Sequence, residues 1–136
     1  MQVDVYLNDH LHSRYQSTKN SLIENDSLAG EVWVFHSTPL RNVESIMSRG
    51  FLIGGVDVPV INGQSYGLGI YTSKNPMIAM RYSSGDKVMV LSRGLVQEDD
   101  CLQTEAGTRR QHNSDEIAVF RDGKLLLPLY VIHYKG

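Results

Sequence analysis

The chain has 136 residues, with 13 Lys plus Arg against 15 Asp plus Glu and hence a formal net charge of -2. That length suits one domain and leaves no room for two full-sized ones. The missing basic excess argues against duplex nucleic acid as the main partner, and 41% apolar with 21% charged residues excludes wholesale disorder.

The first thirty residues are polar, but Leu7, Leu11, Tyr15 and Leu22 recur at helical spacing, which predicts a docked amphipathic helix. Met1 to His10 contain no basic leader followed by an apolar stretch, so neither secretion nor membrane insertion is expected. The single cysteine, Cys101, gives no disulfide framework, and a reduced cytoplasmic or nuclear setting follows as the expectation. Asn25 to Gly30 clusters turn formers, ending on the residue that best tolerates positive φ. Glu31 to Phe35, Glu-Val-Trp-Val-Phe, then reads as a buried strand with apolar residues on both faces, closed by His36.

Thr38-Pro39 predicts a helix start, with Leu40, Val43, Ile46 and Met47 in helical spacing up to Arg49-Gly50. Phe51 to Ile53 is a short strand candidate, and residues 54–63 have the composition of a ligand-covering loop. Gly67 to Thr72 enters another strand. Asn75-Pro76 supplies a cap and first turn for a short helix through Tyr82. Lys87 to Val96, Glu116 to Phe120 and Leu126 to Tyr134 read as three more strands, the last two linked by an Arg121-Asp122-Gly123 turn. Gln97 to Asp115 is a polar surface excursion. The expected class is α+β, in one domain with an N-terminal helical extension over 1–30 and a core over 31–134.

Candidate functional residues lie at strand boundaries, where a rigid scaffold presents side chains to a ligand. They are His36, Tyr71 after the Gly-x-Gly step, Tyr82 eleven residues on, and Glu116 at a strand start. Each has a plain structural explanation alone: a histidine satisfied by a carbonyl, core tyrosines, a solvated carboxylate beside Asp115, and glycines marking a tight approach of backbones. No spacing supplies further ligands to His10-x-His12, which argues against a zinc site. Acidic neighbours of Cys101 argue against a thiolate nucleophile.

Taken together, Phe35-His36-Ser37-Thr38, the helix ending Arg49-Gly50-Phe51, Tyr66-Gly67-Leu68-Gly69-Ile70-Tyr71-Thr72, Tyr82, Glu116 to Phe120, and Pro128 to Ile132 resemble the catalytic domain of poly(ADP-ribose) polymerases (PARPs). The resemblance is to the His-Tyr-Glu type of ADP-ribosyltransferase, and among these to short fungal-type members. It implies two packed, mainly antiparallel twisted sheets forming a split NAD cleft, flanked by short helices. It further implies NAD as co-substrate, no metal, and transfer of ADP-ribose to an acceptor protein or other macromolecule. His36 would hold the adenosine ribose, with Thr38 and Gly69 lining the cleft. The Ser37 backbone would pair with the nicotinamide carboxamide, Tyr71 and Tyr82 would enclose the ring, and Glu116 with His36 and Tyr71 would make up the catalytic set.

Two departures stand out: Ser37 where the family usually has Gly, and Ala79 where a serine is often seen. A non-catalytic NAD or ADP-ribose-binding module and an NAD glycohydrolase are therefore alternatives to the transferase. Ser114, two residues before Glu116, does not suggest arginine as acceptor.

Overall fold

A computed structural model describes residues 1–53, 69–83, 85–98 and 117–135. Six strands and three helices appear among them: β1 (Gln2–Val5), α1 (Asp9–Glu24), β2 (Leu28–Ser37), α2 (Val43–Arg49), β3 (Ile70–Thr72), α3 (Pro76–Ala79), β4 (Val88–Gln97), β5 (Ala118–Phe120) and β6 (Leu126–His133). A four-stranded antiparallel sheet runs β1-β6-β4-β2, and β3 pairs antiparallel with β5 in a second sheet. The expected α+β class with two antiparallel sheets is what the chain adopts.

The predicted N-terminal helix is α1, which buries Leu11 and Tyr15. Leu7 does not belong to its stripe: it precedes the helix and is 87% exposed, because Asn8 caps the first turn by accepting from the Leu11 N–H at 3.1 Å. The Asn8 amide also donates to the Met47 and Ser48 carbonyls at 3.1 Å each. One side chain thus satisfies orphan groups at the start of α1 and the end of α2. The Tyr15 hydroxyl donates to Glu31 Oε2 at 2.7 Å, and Lys19 and Arg93 reach Glu31 Oε1 at 3.0 and 3.2 Å. Burial would raise the Glu31 carboxyl, but these three donors outweigh it and hold the group below its ordinary range.

Strand β1 has no counterpart in the predicted elements. Its four residues are mostly exposed, so the ladder to β6 and not burial of its own side chains orders it. Strand β2 is longer than predicted and lies at an edge of the sheet; Val34 is fully buried, whereas Trp33 is 44% exposed beneath the Arg93 guanidinium at 4.8 Å. The turn before it is made by Asp26, at φ 56, while Gly30 sits within the strand. Aspartate tolerates the left-handed region, so glycine is not required.

After Pro39 the chain makes a 3-10 turn (Leu40–Asn42) before α2 begins. Thr38 does not cap it; Asp86 Oδ2 accepts the Leu40 N–H at 2.7 Å from across the chain. Phe51 to Ile53 are not a strand, although Phe51 and Ile53 are buried. Asn75 caps α3 as the spacing predicts, accepting from Met77 N–H at 2.9 Å, and a 3-10 turn (Met80–Tyr82) follows. The loop over 54–63, Gly67, the Gln97 to Asp115 excursion beyond Glu98, and Cys101 lie outside the described residues.

The Arg121-Asp122-Gly123 turn closes no hairpin. β5 pairs with β3 while β6 pairs with β4 and β1, so the turn carries the chain from one sheet to the other. A Cβ at Gly123 would collide with the Phe51 carbonyl oxygen, and one at Gly94 would lie 2.7 Å from the Phe120 ring. Gly94 therefore allows close packing between the sheets, and Gly123 allows the chain after α2 to come close. Gly123→Ala should lower stability by about 1–3 kcal/mol, read as a reduced urea midpoint at unchanged slope.

Candidate active site

The two sheets meet where β2 ends. Phe35 and Ser73 exchange main-chain hydrogen bonds of 2.7 and 2.9 Å, which fastens β2 to the residue just after β3. One residue on, the His36 ring reaches the same segment: Nδ1 lies 2.8 Å from the Tyr71 carbonyl oxygen. A carbonyl can only accept, so Nδ1 carries the proton and a neutral ring presents Nε2 as an acceptor. Phe51 packs edge-on against the imidazole, with centroids 5.1 Å apart at 84°. Burial pushes the His36 pKa down, and the bond to Tyr71 offsets part of that shift.

Side chains alternate across a strand, so His36 and Ser37 face opposite ways. His36 and Thr38 line a cavity of about 350 Å³ together with Asn42, Ser45, Arg49 and Phe51. Residues 42, 45, 46 and 49 recur at helical spacing, putting one partly polar face of α2 toward the cavity. The Arg49 guanidinium is held by two bonds to Ser45 Oγ, at 2.7 and 3.2 Å. Gly69 and Ile70 complete the far wall. A Cβ on Gly69 would lie 2.5 Å from Val119 Cγ1 and 2.9 Å from the Phe120 carbonyl oxygen, so this glycine does mark a tight approach.

The other face holds a separate, much smaller pocket. Ser37, Tyr71, Ala79, Tyr82 and Ile117 line it, and it measures about 10 Å³. Ile78, Ile117 and Val119 form an apolar cluster behind it with Tyr71 packed on top. Ser37 Oγ donates to the Ala79 carbonyl at 2.5 Å, bridging β2 and α3.

Sequence reasoning singled out His36, Ser37, Thr38, Gly69, Tyr71 and Tyr82, and all six line one or other of these adjoining pockets. They do not share a single cavity. Glu116 lies outside the described residues, although Ile117, its neighbour in sequence, is buried in the smaller pocket. Asn42, Ser45 and Arg49 were not singled out; the polar residues at helical spacing beside the apolar stripe of α2 were the available signal.

A family profile described as the Poly(ADP-ribose) polymerase catalytic domain matches residues 2–126. That match takes in β1 and α1 as well as the core. No curated protein sequence gives a significant match. Among solved structures, the PARP domain of Arabidopsis RADICAL-INDUCED CELL DEATH1 is similar at a TM-score of 0.61 and 15% identity, over 96% of this chain and 84% of that one. The TASOR pseudo-PARP domain is similar at 0.59 and 12%, over 96% and 80%. These likenesses concern the fold.

Protonation of His36 is resisted in the folded state, whereas the unfolded chain takes up the proton near the ordinary value of about 6.5. This contribution to stability is complete above about pH 6.5 and is lost as the pH falls below it. The urea midpoint should therefore drop between about pH 7.5 and pH 5.5, and less so in His36→Asn, which keeps an N–H for the Tyr71 carbonyl but cannot ionise. Equal losses in both proteins would remove His36 as the cause.

Proposed function

Because the chain belongs to the poly(ADP-ribose) polymerase catalytic-domain family, we propose that it is an NAD-dependent ADP-ribosyltransferase acting on a protein or other macromolecular acceptor. The observation that carries this reading is the joint between β2 and β3. There one histidine, tied to the Tyr71 carbonyl, lines a roomy cavity of mixed polar and apolar walls, and its neighbour Ser37 lines a small pocket that includes Tyr71 and Tyr82.

In this reading the larger cavity takes the adenosine diphosphate end of NAD. Nε2 of the neutral His36 accepts from a ribose hydroxyl, and Arg49 offers charged donors to phosphate. Tyr71 and Tyr82 flank the nicotinamide, where aromatic faces orient a flat ring and favour its positive charge. Glu116 aligns the nicotinamide ribose. Cleaving the N-glycosidic bond releases neutral nicotinamide and leaves positive charge on that ribose, as in glycoside hydrolysis. A fixed carboxylate interacts more strongly as this charge grows, so it lowers the barrier in preference to tightening NAD.

A second reading, an ADP-ribose or NAD-binding module without turnover, is favoured by one observation: the pocket at Ser37 and Ala79 measures only about 10 Å³. Incubation with NAD labelled in its adenylate portion separates the readings. A transferase moves label onto protein, a glycohydrolase releases free ADP-ribose, and a binder leaves NAD intact. For the transferase, Glu116→Gln should cut nicotinamide release by about 100- to 1000-fold while NAD affinity changes little. Release by the Glu116→Gln variant at the unmutated rate would overturn the assignment of Glu116.

A further inference from the structure

The two departures from the family pattern, Ser37 and Ala79, are bonded to each other. The Ser37 hydroxyl crosses from β2 to the Ala79 carbonyl at 2.5 Å, and Ala79 is itself buried at 3% exposure. Both residues line the pocket that also holds Tyr71 and Tyr82. Between the described residues this pocket encloses about 10 Å³, room for a single water at most, whereas a cavity that admits a benzene ring measures about 150 Å³; Tyr82 is 53% exposed at its edge. The larger cavity on the His36 side, at about 350 Å³, is within the range of small-molecule sites. The two halves of the cleft therefore stand in different states.

Alternation along β2 explains how one residue does this. His36 and Thr38 serve the larger cavity, so a change at Ser37 leaves their face of the strand in place. Glycine at 37 would have no oxygen to hold Ala79. The Phe35–Ser73 pair fastens β2 to the chain entering α3, a four-residue helix, and the Ser37 bond adds a tie at the far end of that helix. It also takes one of the two lone pairs of the Ala79 carbonyl.

We infer that Ser37 is the specificity-determining residue of this cleft, closing the aromatic pocket so that ADP-ribose, which lacks a nicotinamide ring, is taken in preference to nicotinamide-bearing ligands. ADP-ribose fills the His36 cavity and leaves the Ser37–Ala79 bond intact. A nicotinamide ring must break that bond and part β2 from α3 before it can seat. The inference rests on the second reading above, a module that keeps the ADP-ribose half of an NAD site without turnover.

Calorimetric titration of the full chain with ADP-ribose and, separately, with nicotinamide tests it, using the unmutated protein, Ser37→Gly and Ser37→Ala. Ser37→Ala keeps a Cβ and strand preference, so it reports loss of the hydroxyl alone even where Ser37→Gly weakens the fold. Nicotinamide should bind each variant at least about fivefold more tightly than the unmutated protein, the worth of one neutral hydrogen bond, with ADP-ribose changed by less than about twofold. Nicotinamide binding that is unchanged or undetectable in all three proteins, with ADP-ribose still bound, overturns the role of Ser37 and leaves the reading of the cleft standing. Equal tightening of both ligands overturns it too, since no selectivity is then lost. Failure of ADP-ribose to bind any of the three folded proteins overturns the reading of the cleft and this inference together.

Discussion

The end of β2 is stitched to β3 by three hydrogen bonds, two exchanged between the main chains of Phe35 and Ser73 and one from the His36 ring to the Tyr71 carbonyl. Ser73 is 1% exposed, so its main-chain groups have no water to fall back on. Leaving a buried donor or acceptor unpaired costs about 1–3 kcal/mol. The stitch is what makes two separate antiparallel sheets into one cleft: β2 pairs along its length with β4, and its main chain bonds to the second sheet's segment at this joint. Elsewhere Gly94 lets Phe120 of the second sheet come close to the first, and Gly123 lets the Phe51 main chain come close.

From that junction the chemistry divides by the simplest rule of strand geometry. Successive residues point to opposite faces, so Phe35 and Ser37 serve the smaller pocket while His36 and Thr38 serve the larger. The larger cavity has mixed polar and apolar walls, one of them a face of α2. Its histidine is neutral, because burial disfavours the imidazolium more than the Tyr71 carbonyl favours it. A neutral ring with its proton committed to Nδ1 presents an acceptor, which suits a sugar hydroxyl better than an anion. In the proposed reading the positive charge for a phosphate comes instead from Arg49, which Ser45 steadies.

The supporting helices are held by polar groups that each satisfy three partners at once. Asn8 caps α1 and binds carbonyls at the end of α2. Glu31 accepts from Tyr15, Lys19 and Arg93. Such groups tie the first thirty residues to the core, in keeping with a family match that begins at residue 2. Tyr15 contributes on both counts, since its ring is in the apolar core and its hydroxyl is kept protonated by burial and by the bond to Glu31.

Much of this was legible without coordinates. Helical spacing at Val43, Ile46 and Met47, the Asn75-Pro76 cap, and the β-branched runs of β4 and β6 are local signals, set by side-chain periodicity and by main-chain groups within a few residues. The family and its order of motifs were also readable, because strand ends and glycine steps leave marks in sequence. Features that depend on a distant partner were not. β1 exists because β6 offers it a ladder, Leu40 is capped by Asp86 from 46 residues away, and the Arg-Asp-Gly turn changes sheets because β5 finds β3. Likewise the sequence could flag Ser37 and Ala79 as unusual, each by itself. That they bond to one another across 42 residues was decided by tertiary structure, since only packing fixes the distance between a strand end and a short helix.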